Sequence, residues 1–314
     1  MEDGIYFDLP EDKYHAEKRL SSSGIRDILE NPTFYWFNSN LNPLREEKPS
    51  QAMIDGKIFH AMILESENFK NKFKVTPPEI EALNKNSTEF KIWKSAQTLE
   101  VIPFAKYQKF KLICDYLSQE GQILDCNIFN DGFSEVSILW TENGIKRKAR
   151  IDKLTLGRII DLKTFVKRNK KPLNNYVAEY FFSFRVYLQL IYYERAVKFA
   201  IANDLPVHGN AEQKEFWEEL KHIENFLLMV AFVNRELPQS ALKVFTKEQC
   251  ADVWRLGEKQ IAQAEEVFLQ YMEKFGAKSA WLQDVNVGVD DLMFTDADFP
   301  QSFYDLLQGA TDYE

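Results

Sequence analysis

The sequence predicts an α/β fold with an N-terminal helical elaboration. Its middle holds short β-rich segments separated by turn sequences, whereas the segments on either side carry apolar residues at helical spacing. The 314 residues are 45% apolar and 28% charged, which is typical of a globular domain with a sizeable core. Because we find neither an internal repeat nor a low-complexity linker, we expect a single domain with a helical part (1–130), an α/β core (131–275) and an acidic tail (276–314).

Helical patterns dominate the N-terminal part. Residues 1–19 are polar, and we expect them to be loosely ordered. Residues 20–37 begin with serines that can cap a helix, and 40–50 read as a loop. The apolar residues of 51–66 recur at a helical period, which indicates a largely buried helix. Residues 90–118 also show an amphipathic helical pattern.

After residue 130 the sequence pattern changes from helical to β-rich. Segments 134–141, 145–154 and 157–164 are short and β-rich, and they are separated by ENG and TLG. Asn143-Gly144 is a strong signal for a tight hairpin turn. These segments predict a three-stranded meander.

Helices and one more strand pair follow the meander. Residues 173–203 read as a long helical region, and 204–222 read as a polar, partly helical insertion. Residues 225–234 and 240–247 indicate a further strand pair. Residues 247–275 predict a long, charged amphipathic helix.

The charge is unevenly distributed. The net charge is −9, yet residues 144–171 contain eleven Lys and Arg against two Asp. Residues 283–314 contain eight acidic residues and neither Lys nor Arg. A basic segment in an acidic chain suggests a local anionic ligand, although a solvated basic hairpin explains it equally well.

Several classes of protein are excluded. The longest apolar run, 226–233, is too short to cross a bilayer, and the N-terminus shows no secretory signal. Cys114, Cys126 and Cys250 are widely spaced without a CxxC motif, which disfavours a disulfide framework, a zinc finger and an iron–sulfur site. We therefore expect a cytoplasmic location and no membrane partner.

Two aspartates and a lysine on the meander suggest a metal site. Asp152 and Asp161 lie on adjacent strands joined by a short turn, so their carboxylates can converge at the end of the sheet. Two carboxylates suit Mg²⁺ or Mn²⁺. Lys163 faces the same side as Asp161 because residues at i and i+2 of a strand share a face. It could hold an attacking water or stabilise charge on a phosphate, although a plain ion pair remains an alternative.

Two further motifs extend this constellation. Gly56 precedes His60 by one helical turn, and Gln189 and Tyr193 are four residues apart on one helix face. By default they are ordinary core or surface residues. In a metal site, His60 could supply a nitrogen ligand, and Gln189 with Tyr193 could bind a phosphate and steady Lys163.

The order GxxxH, Glu, IDKL, IIDLKT, QxxxY resembles the RecB-like branch of the PD-(D/E)XK nucleases. More closely, the chain resembles the RecE-type exonucleases (exonuclease VIII). The resemblance spans about residues 14 to 285 and includes LSSSGIRDILENPTFYWF, GKIFHAMILESENFKNKFKV, KRKARIDKLT and FVNRELPQSALKVF. It implies a restriction-endonuclease-like central mixed β-sheet flanked by helices. Ile151 departs from the usual proline.

The resemblance also assigns roles to residues. It implies metal coordination by His60, Asp152, Asp161 and the backbone carbonyl of Leu162. Lys163 matches the catalytic lysine.

The resemblance implies roles for further residues around the metal ligands and the catalytic lysine. Gln189 and Tyr193 match the QxxxY pair, and Glu135 matches an acidic position that supports the first metal or binds a second. Arg150 matches a phosphate-holding position. We expect Arg147 and Lys148, in the same basic segment, to contact DNA phosphates too.

The implied activity is a Mg²⁺-dependent exonuclease on linear double-stranded DNA, with Mn²⁺ as a substitute. The family implies 5′→3′ digestion that leaves 3′ single-stranded tails for recombination, a partner annealing protein, a ring-like homo-oligomer (trimer or tetramer) and a phage source. The alternatives are a nuclease-fold DNA-binding scaffold without turnover, an endonuclease with the same site, and a CRISPR-associated RecB-like nuclease, which three cysteines disfavour. A chance D-x-K motif in an unrelated protein is the least specific alternative.

Overall fold

The computed structural model describes residues 1–46, 49–124, 127–167 and 169–282. Met1–Ala280 form one compact unit, and a second unit, Trp281–Glu314, is described only at its first two residues. Most of the acidic tail and Cys126 therefore lie outside the described residues. Among the helices that are described, none combines the length and apolarity that a bilayer crossing requires.

A seven-stranded mixed sheet forms the centre of the compact unit, in the strand order β7-β1-β4-β5-β6-β8-β9. The β1–β7 and β6–β8 pairs are parallel and the other four pairs are antiparallel. A separate parallel pair consists of β2 and β3. The strands are β1 (Gly4–Tyr6), β2 (Phe73–Val75), β3 (Glu100–Ile102), β4 (Phe133–Glu142), β5 (Ile145–Thr155), β6 (Arg158–Phe165), β7 (Val207–His208), β8 (Leu227–Asn234) and β9 (Ser240–Phe245).

Helices cover both faces of the sheet at β6 and β8. Ile160 and Leu162 belong to an apolar cluster with residues of α4 and α8, whereas Asp161 between them contacts α10. This alternation is that of a strand buried on both faces, and it confirms the predicted α/β fold with a mixed central sheet. The helices are α1 (Glu11–Ala16), α2 (Ser22–Glu30), α3 (Pro32–Asn38), α4 (Gln51–Leu64), α5 (Phe69–Lys72), α6 (Pro78–Glu81), α7 (Thr88–Ser95), α8 (Phe104–Leu117), α9 (Leu173–Ser183), α10 (Val186–Ala202), α11 (Ala211–Leu220) and α12 (Ala251–Phe275), and a 3-10 turn lies at Asn127–Phe129.

The predicted meander is confirmed as β4, β5 and β6. Asn143 and Gly144 have φ values of 52° and 77°, which is the left-handed pair that a tight hairpin turn requires. Their turn pairs Glu142 with Ile145 and so fixes the register of β4 and β5. The later strand pair is confirmed as β8 and β9, and the long amphipathic helix as α12.

Other predictions were wrong in detail. Residues 1–19 are not loosely ordered, because β1 joins the sheet and Ile5, Phe7 and Leu9 are buried at strand spacing. The strand is too short to stand out from its polar neighbours. The helical pattern of 90–118 is interrupted by β3, and that of 173–203 is broken at Arg185.

Arg147 lies in a buried ion cluster and is not a DNA contact. Its side chain is fully buried, donates to Glu265 and lies 3.3 Å, Nε to Oε2, from Glu142. Arg195 bridges the same two carboxylates at 2.8 and 2.9 Å. Because β5, α10 and α12 each contribute a charge, the cluster ties the two helices to the sheet. The predicted contact between Arg147 and DNA phosphates is therefore wrong.

We expect Glu265→Ala to lower the free energy of unfolding by about 3 kcal/mol, because it leaves a buried guanidinium short of a counter-charge. Urea denaturation measures the change. Glu266→Ala, at the next and exposed position of α12, is the matched control and should cost less than about 0.5 kcal/mol. Equal costs for the two variants would contradict a stabilising role for the cluster.

Candidate active site

Three neighbouring strands each place one carboxylate at the same level of the sheet. Glu135 on β4 lies between the Ser134–Lys153 and Val136–Ile151 pairs and is therefore opposite Asp152. The β5–β6 ladder ends at Lys153–Ile160, one residue short of Asp152 and Asp161. There the backbone N–H of Leu162 donates to Oδ2 of Asp152 at 2.8 Å. The aspartates thus converge within the sheet, where β5 and β6 part, and not at the predicted sheet end.

His60, Glu135 and Asp152 bring their ligand atoms within 4.8 Å of one another. His60 is carried by α4, and its Nδ1 lies 3.9 Å from Oδ2 of Asp152. Gly56, one turn earlier, lies close to β6, since a Cβ there would be 3.3 Å from Oγ1 of Thr164. The glycine therefore permits the close approach of α4 that places His60 beside the aspartates.

The side chain of Arg150 holds the carboxylate of Glu135 in position. Its Nε donates to Oε2 of Glu135 at 2.6 Å, and its Nη2 donates to the carbonyl of Leu9 at 3.1 Å. Glu135 itself has a φ of 58°, a left-handed conformation uncommon for a residue with a side chain and frequent at functional sites. Burial raises the pKa of its carboxyl, and Arg150 opposes that rise.

The predicted phosphate contact of Lys148 does not agree with this geometry. Arg150 faces Glu135 and Leu9. Lys148 is buried, and its Nζ donates to the carbonyls of Tyr14, His15 and Glu17 at 3.0, 3.2 and 2.9 Å. Lys148 is thus held by backbone carbonyls, whereas Arg150 also borders the site and its Nη1 has no hydrogen-bond partner among the described residues. The phosphate contact of Arg150 therefore stays a prediction.

Asp161 is fully buried and is held by two side chains. Its Oδ1 accepts from Nζ of Lys163 at 2.9 Å and from Nε2 of Gln189 at 2.8 Å. Gln189 also contacts the hydroxyl of Tyr193 at 2.6 Å. Oδ2 lies 2.7 Å from Nζ of Lys163 without hydrogen-bond geometry, and no other described residue donates to it. The structure thus brings the Gln189–Tyr193 pair to Asp161 instead of to Lys163.

The electrostatics of the site favour a bound cation. Burial and, next, the charge of Asp161 raise the pKa of Asp152 well above its usual value. Burial and Lys163 lower the pKa of His60 to about 4, so its imidazole is neutral at neutral pH and can donate a lone pair. Burial lowers the pKa of Lys163, but Asp161 and Asp152 outweigh it, and the net pKa is raised. Lys163 therefore stays an ammonium.

This donor set suits a divalent metal ion. His60, Glu135 and Asp152 offer one nitrogen and carboxylate oxygens, and Oδ2 of Asp161 is a further buried oxygen that Lys163 approaches at 2.7 Å without donating a hydrogen bond. The backbone of Leu162 also borders the site, because its N–H donates to Oδ2 of Asp152 at 2.8 Å. Glu135 thus belongs to the cluster that the ligand atoms form, whereas Asp161 lies behind it as the partner of Lys163.

Two cavities meet at this cluster. One of about 410 Å³ is lined by His60, Asp152 and Lys163, with Lys57 and Lys72 also on its wall. The other, of about 300 Å³, is lined by the serines at the start of α2 and by Gln189 and Tyr193. Glu135, Arg150 and Asp152 border both, so the cluster is reachable from two sides.

Sequence reasoning missed Tyr180, Lys57 and Lys72, which line the first cavity. Tyr180 on α9 lines it, and its pKa is raised by burial while Lys163 opposes the rise. The sequence pattern places Tyr180 only within a long helical region, 173–203. No local motif marks it, because its contact with the site depends on how α9 crosses the sheet.

Comparison with known proteins supports a nuclease fold. Residues 21–256 match the model of a family described as a PDDEXK-like domain of unknown function (DUF3799). The structure is similar to the crystal structure of a protein named "Putative exonuclease" from Eubacterium rectale. That similarity has a TM-score of 0.52 at 14% identity and covers 91% of this chain and 98% of the other. No curated protein matches the chain.

We expect Mg²⁺ to raise the unfolding temperature of the protein, because a cation relieves the repulsion between Asp152 and Asp161. At a concentration of about 100 times its Kd, the ion adds about 2.7 kcal/mol of stability. Glu135→Gln should weaken the Mg²⁺ midpoint by about tenfold or more. Thermal unfolding across a Mg²⁺ titration measures both effects.

Glu67→Gln is the matched control, because Glu67 is an exposed glutamate outside the 410 Å³ cavity. It should titrate like the wild type. If Glu135→Gln and wild type share one midpoint, Glu135 does not contact the ion.

Proposed function

The chain belongs to the family of PDDEXK-like domains of unknown function (DUF3799), and on this premise we propose that it is a Mg²⁺-dependent exonuclease that degrades linear double-stranded DNA. The observation that carries the proposal is the arrangement of Asp161 and Lys163 on one strand beside the His60–Glu135–Asp152 cluster. This arrangement gives a metal-binding face and a fixed ammonium within one cavity. Together they can activate a water and stabilise the charge that develops on a phosphodiester.

The residues divide the chemistry among them. His60, Glu135 and Asp152, with Asp161 behind them, would hold the ion, which when bound lowers the pKa of water and polarises the phosphate. Lys163 points its ammonium into the same cavity and can stabilise the negative charge that develops on the phosphate. Gln189 holds Asp161, and Asp161 in turn holds Lys163. Gln189 therefore acts as a positioning residue.

DNA affinity in this proposal comes from the walls of the cavity. Lys57 and Lys72 line it with side chains about two-fifths exposed, and each is paired with a glutamate, Glu11 and Glu65. A phosphate backbone can compete for such half-exposed cations, and neutralising phosphates supplies affinity without reading sequence. Arg147 and Lys148 are buried, and we expect them to contribute nothing to this affinity for DNA.

The finer parts of the proposal follow from the RecE-type resemblance. They are 5′→3′ digestion to 3′ single-stranded tails, a ring-like homo-oligomer, and delivery of the tails to an annealing protein in phage recombination. The name of the fold neighbour, an exonuclease, agrees with an end-dependent activity. The alternatives are an endonuclease with the same site and a DNA-binding scaffold without turnover.

We expect linear duplex DNA labelled at its 5′ ends to lose label at once in the presence of Mg²⁺, with 3′-labelled DNA shortened later. Covalently closed circular DNA, the control, should remain intact. Gel analysis of the products over time, with and without Mg²⁺, distinguishes the alternatives. Nicked circles would instead indicate an endonuclease, and DNA binding without cleavage in Mg²⁺ or Mn²⁺ would indicate a scaffold.

We expect Lys163→Ala to lower the cleavage rate by about 10²- to 10³-fold, because it removes the ammonium that faces the reacting phosphate. DNA binding should stay within a few-fold of wild type, as the side chain supplies only one contact. Lys167→Ala is the control, since Lys167 follows the same strand but donates to the exposed carbonyl of Asn169. A Lys163→Ala variant that still cleaves at the wild-type rate would exclude the catalytic role.

A further inference from the structure

An aromatic pair extends outward from the wall of the 410 Å³ cavity, which Tyr180 lines and Phe184 does not. Tyr180 and Phe184, four residues apart at the end of α9, have ring centroids 4.3 Å apart and planes inclined by 38°. Phe184 is 54% exposed, and Tyr180 lies partly beneath it. A single exposed aromatic residue is common on protein surfaces. Here the exposed ring rests on a second ring that reaches the candidate active site.

Tyr180 connects this pair to the reacting groups. It lines the cavity with Asp152 and Lys163, and its ring packs edge-to-face on Phe232 at 5.8 Å. Phe232 is the β8 residue that pairs with Lys163 on β6. The aromatic surface therefore begins beside the catalytic lysine and continues outward to Phe184.

The backbone fixes the outer ring in place. Arg185, the next residue, has a φ of 49°. This left-handed conformation interrupts the helical backbone between α9 and α10. The N–H of Phe184 donates to the carbonyl of Tyr180 at 3.0 Å. Its own carbonyl accepts from Nη1 of Arg26 at 3.1 Å, which places a guanidinium next to the backbone at this end of α9. An exposed ring on a fixed backbone next to a cation is suited to an anionic polymer with flat bases.

We propose that Tyr180 and Phe184 form a stacking platform for an unpaired nucleobase next to the scissile phosphate. The inference rests on the proposed nuclease function and deepens it by naming the form of the substrate strand. Stacking on a protein ring needs a free base face, which a base inside a duplex lacks. The strand therefore reaches Lys163 unpaired at its end, with Arg26 near the phosphate that follows the stacked base.

Binding can be measured without cleavage by fluorescence anisotropy of a labelled single-stranded 12-mer, with Ca²⁺ in place of Mg²⁺. We expect Phe184→Ala and Tyr180→Ala to lower the affinity about tenfold, as loss of one stacked base does. Phe184→Trp should restore it. Replacing the terminal bases of the 12-mer by abasic sites should lower wild-type affinity by the same factor and leave Phe184→Ala binding unchanged.

Phe182→Ala is the matched control. Phe182 is 57% exposed at the same helix end, but its ring stacks on Tyr187, which does not line the 410 Å³ cavity, whereas the ring of Phe184 contacts Tyr180, which does. It should bind like the wild type. Thermal unfolding and sedimentation of all variants show whether they remain folded and keep their oligomeric state.

The results separate the inference from the function it rests on. If the wild type cleaves DNA yet binds normal and abasic strands equally, the platform is excluded and the nuclease function stands. A Phe184→Ala variant that changes only the oligomeric state would show a contact between copies of the chain, which also overturns the platform. A wild type that neither binds nor cleaves DNA overturns both proposals.

Discussion

The burial of Asp161 is the constraint on which the site depends. An ionised carboxylate without solvent is stable only if its oxygens have close, oppositely charged or donating partners. Lys163 from the same strand and Gln189 from α10 supply them at 2.8–2.9 Å. The position of α10 against the sheet is therefore a requirement of charge as well as of packing. The same ion pair keeps Lys163 protonated and orients it, so the interaction that makes burial possible also prepares the charged group for chemistry.

A second carboxylate, Glu135, is oriented in a different way. It has a left-handed backbone and an arginine partner, and these turn it toward His60 and Asp152. Arg150 donates to the carboxylate of Glu135, just as Gln189 donates to the carboxylate of Asp161. In both cases a neighbouring side chain holds a carboxylate of the candidate site in place. Such supporting contacts set the distances between ligand atoms and so determine which ion the site accepts.

Sequence reasoning succeeded where contacts are local. The Asn143-Gly144 turn fixed the hairpin, and period-two spacing placed Asp161 and Lys163 on one side of one strand. It failed for the basic residues of β5, because a run of Lys and Arg does not show which way each side chain points. The partners that bury Arg147 and Lys148 are Glu265 and the carbonyls of residues 14–17, all far along the chain. Tyr180 escaped notice for the same reason, since only the crossing of α9 brings it to Lys163.

The connection between β6 and β8 has a consequence for the order in which the protein folds. The meander joins sequence neighbours through tight turns, so its contacts have low contact order and form early. We therefore expect Glu135, Asp152 and Asp161 to come together before the parallel β6–β8 pair forms, since that pair requires the long crossover through α9, α10 and α11. Until α10 docks, Asp161 lacks Gln189 and must remain hydrated. In this order of folding, the three carboxylates of the candidate site come together early. They lose their water last, when α10 docks and the β6–β8 pair forms.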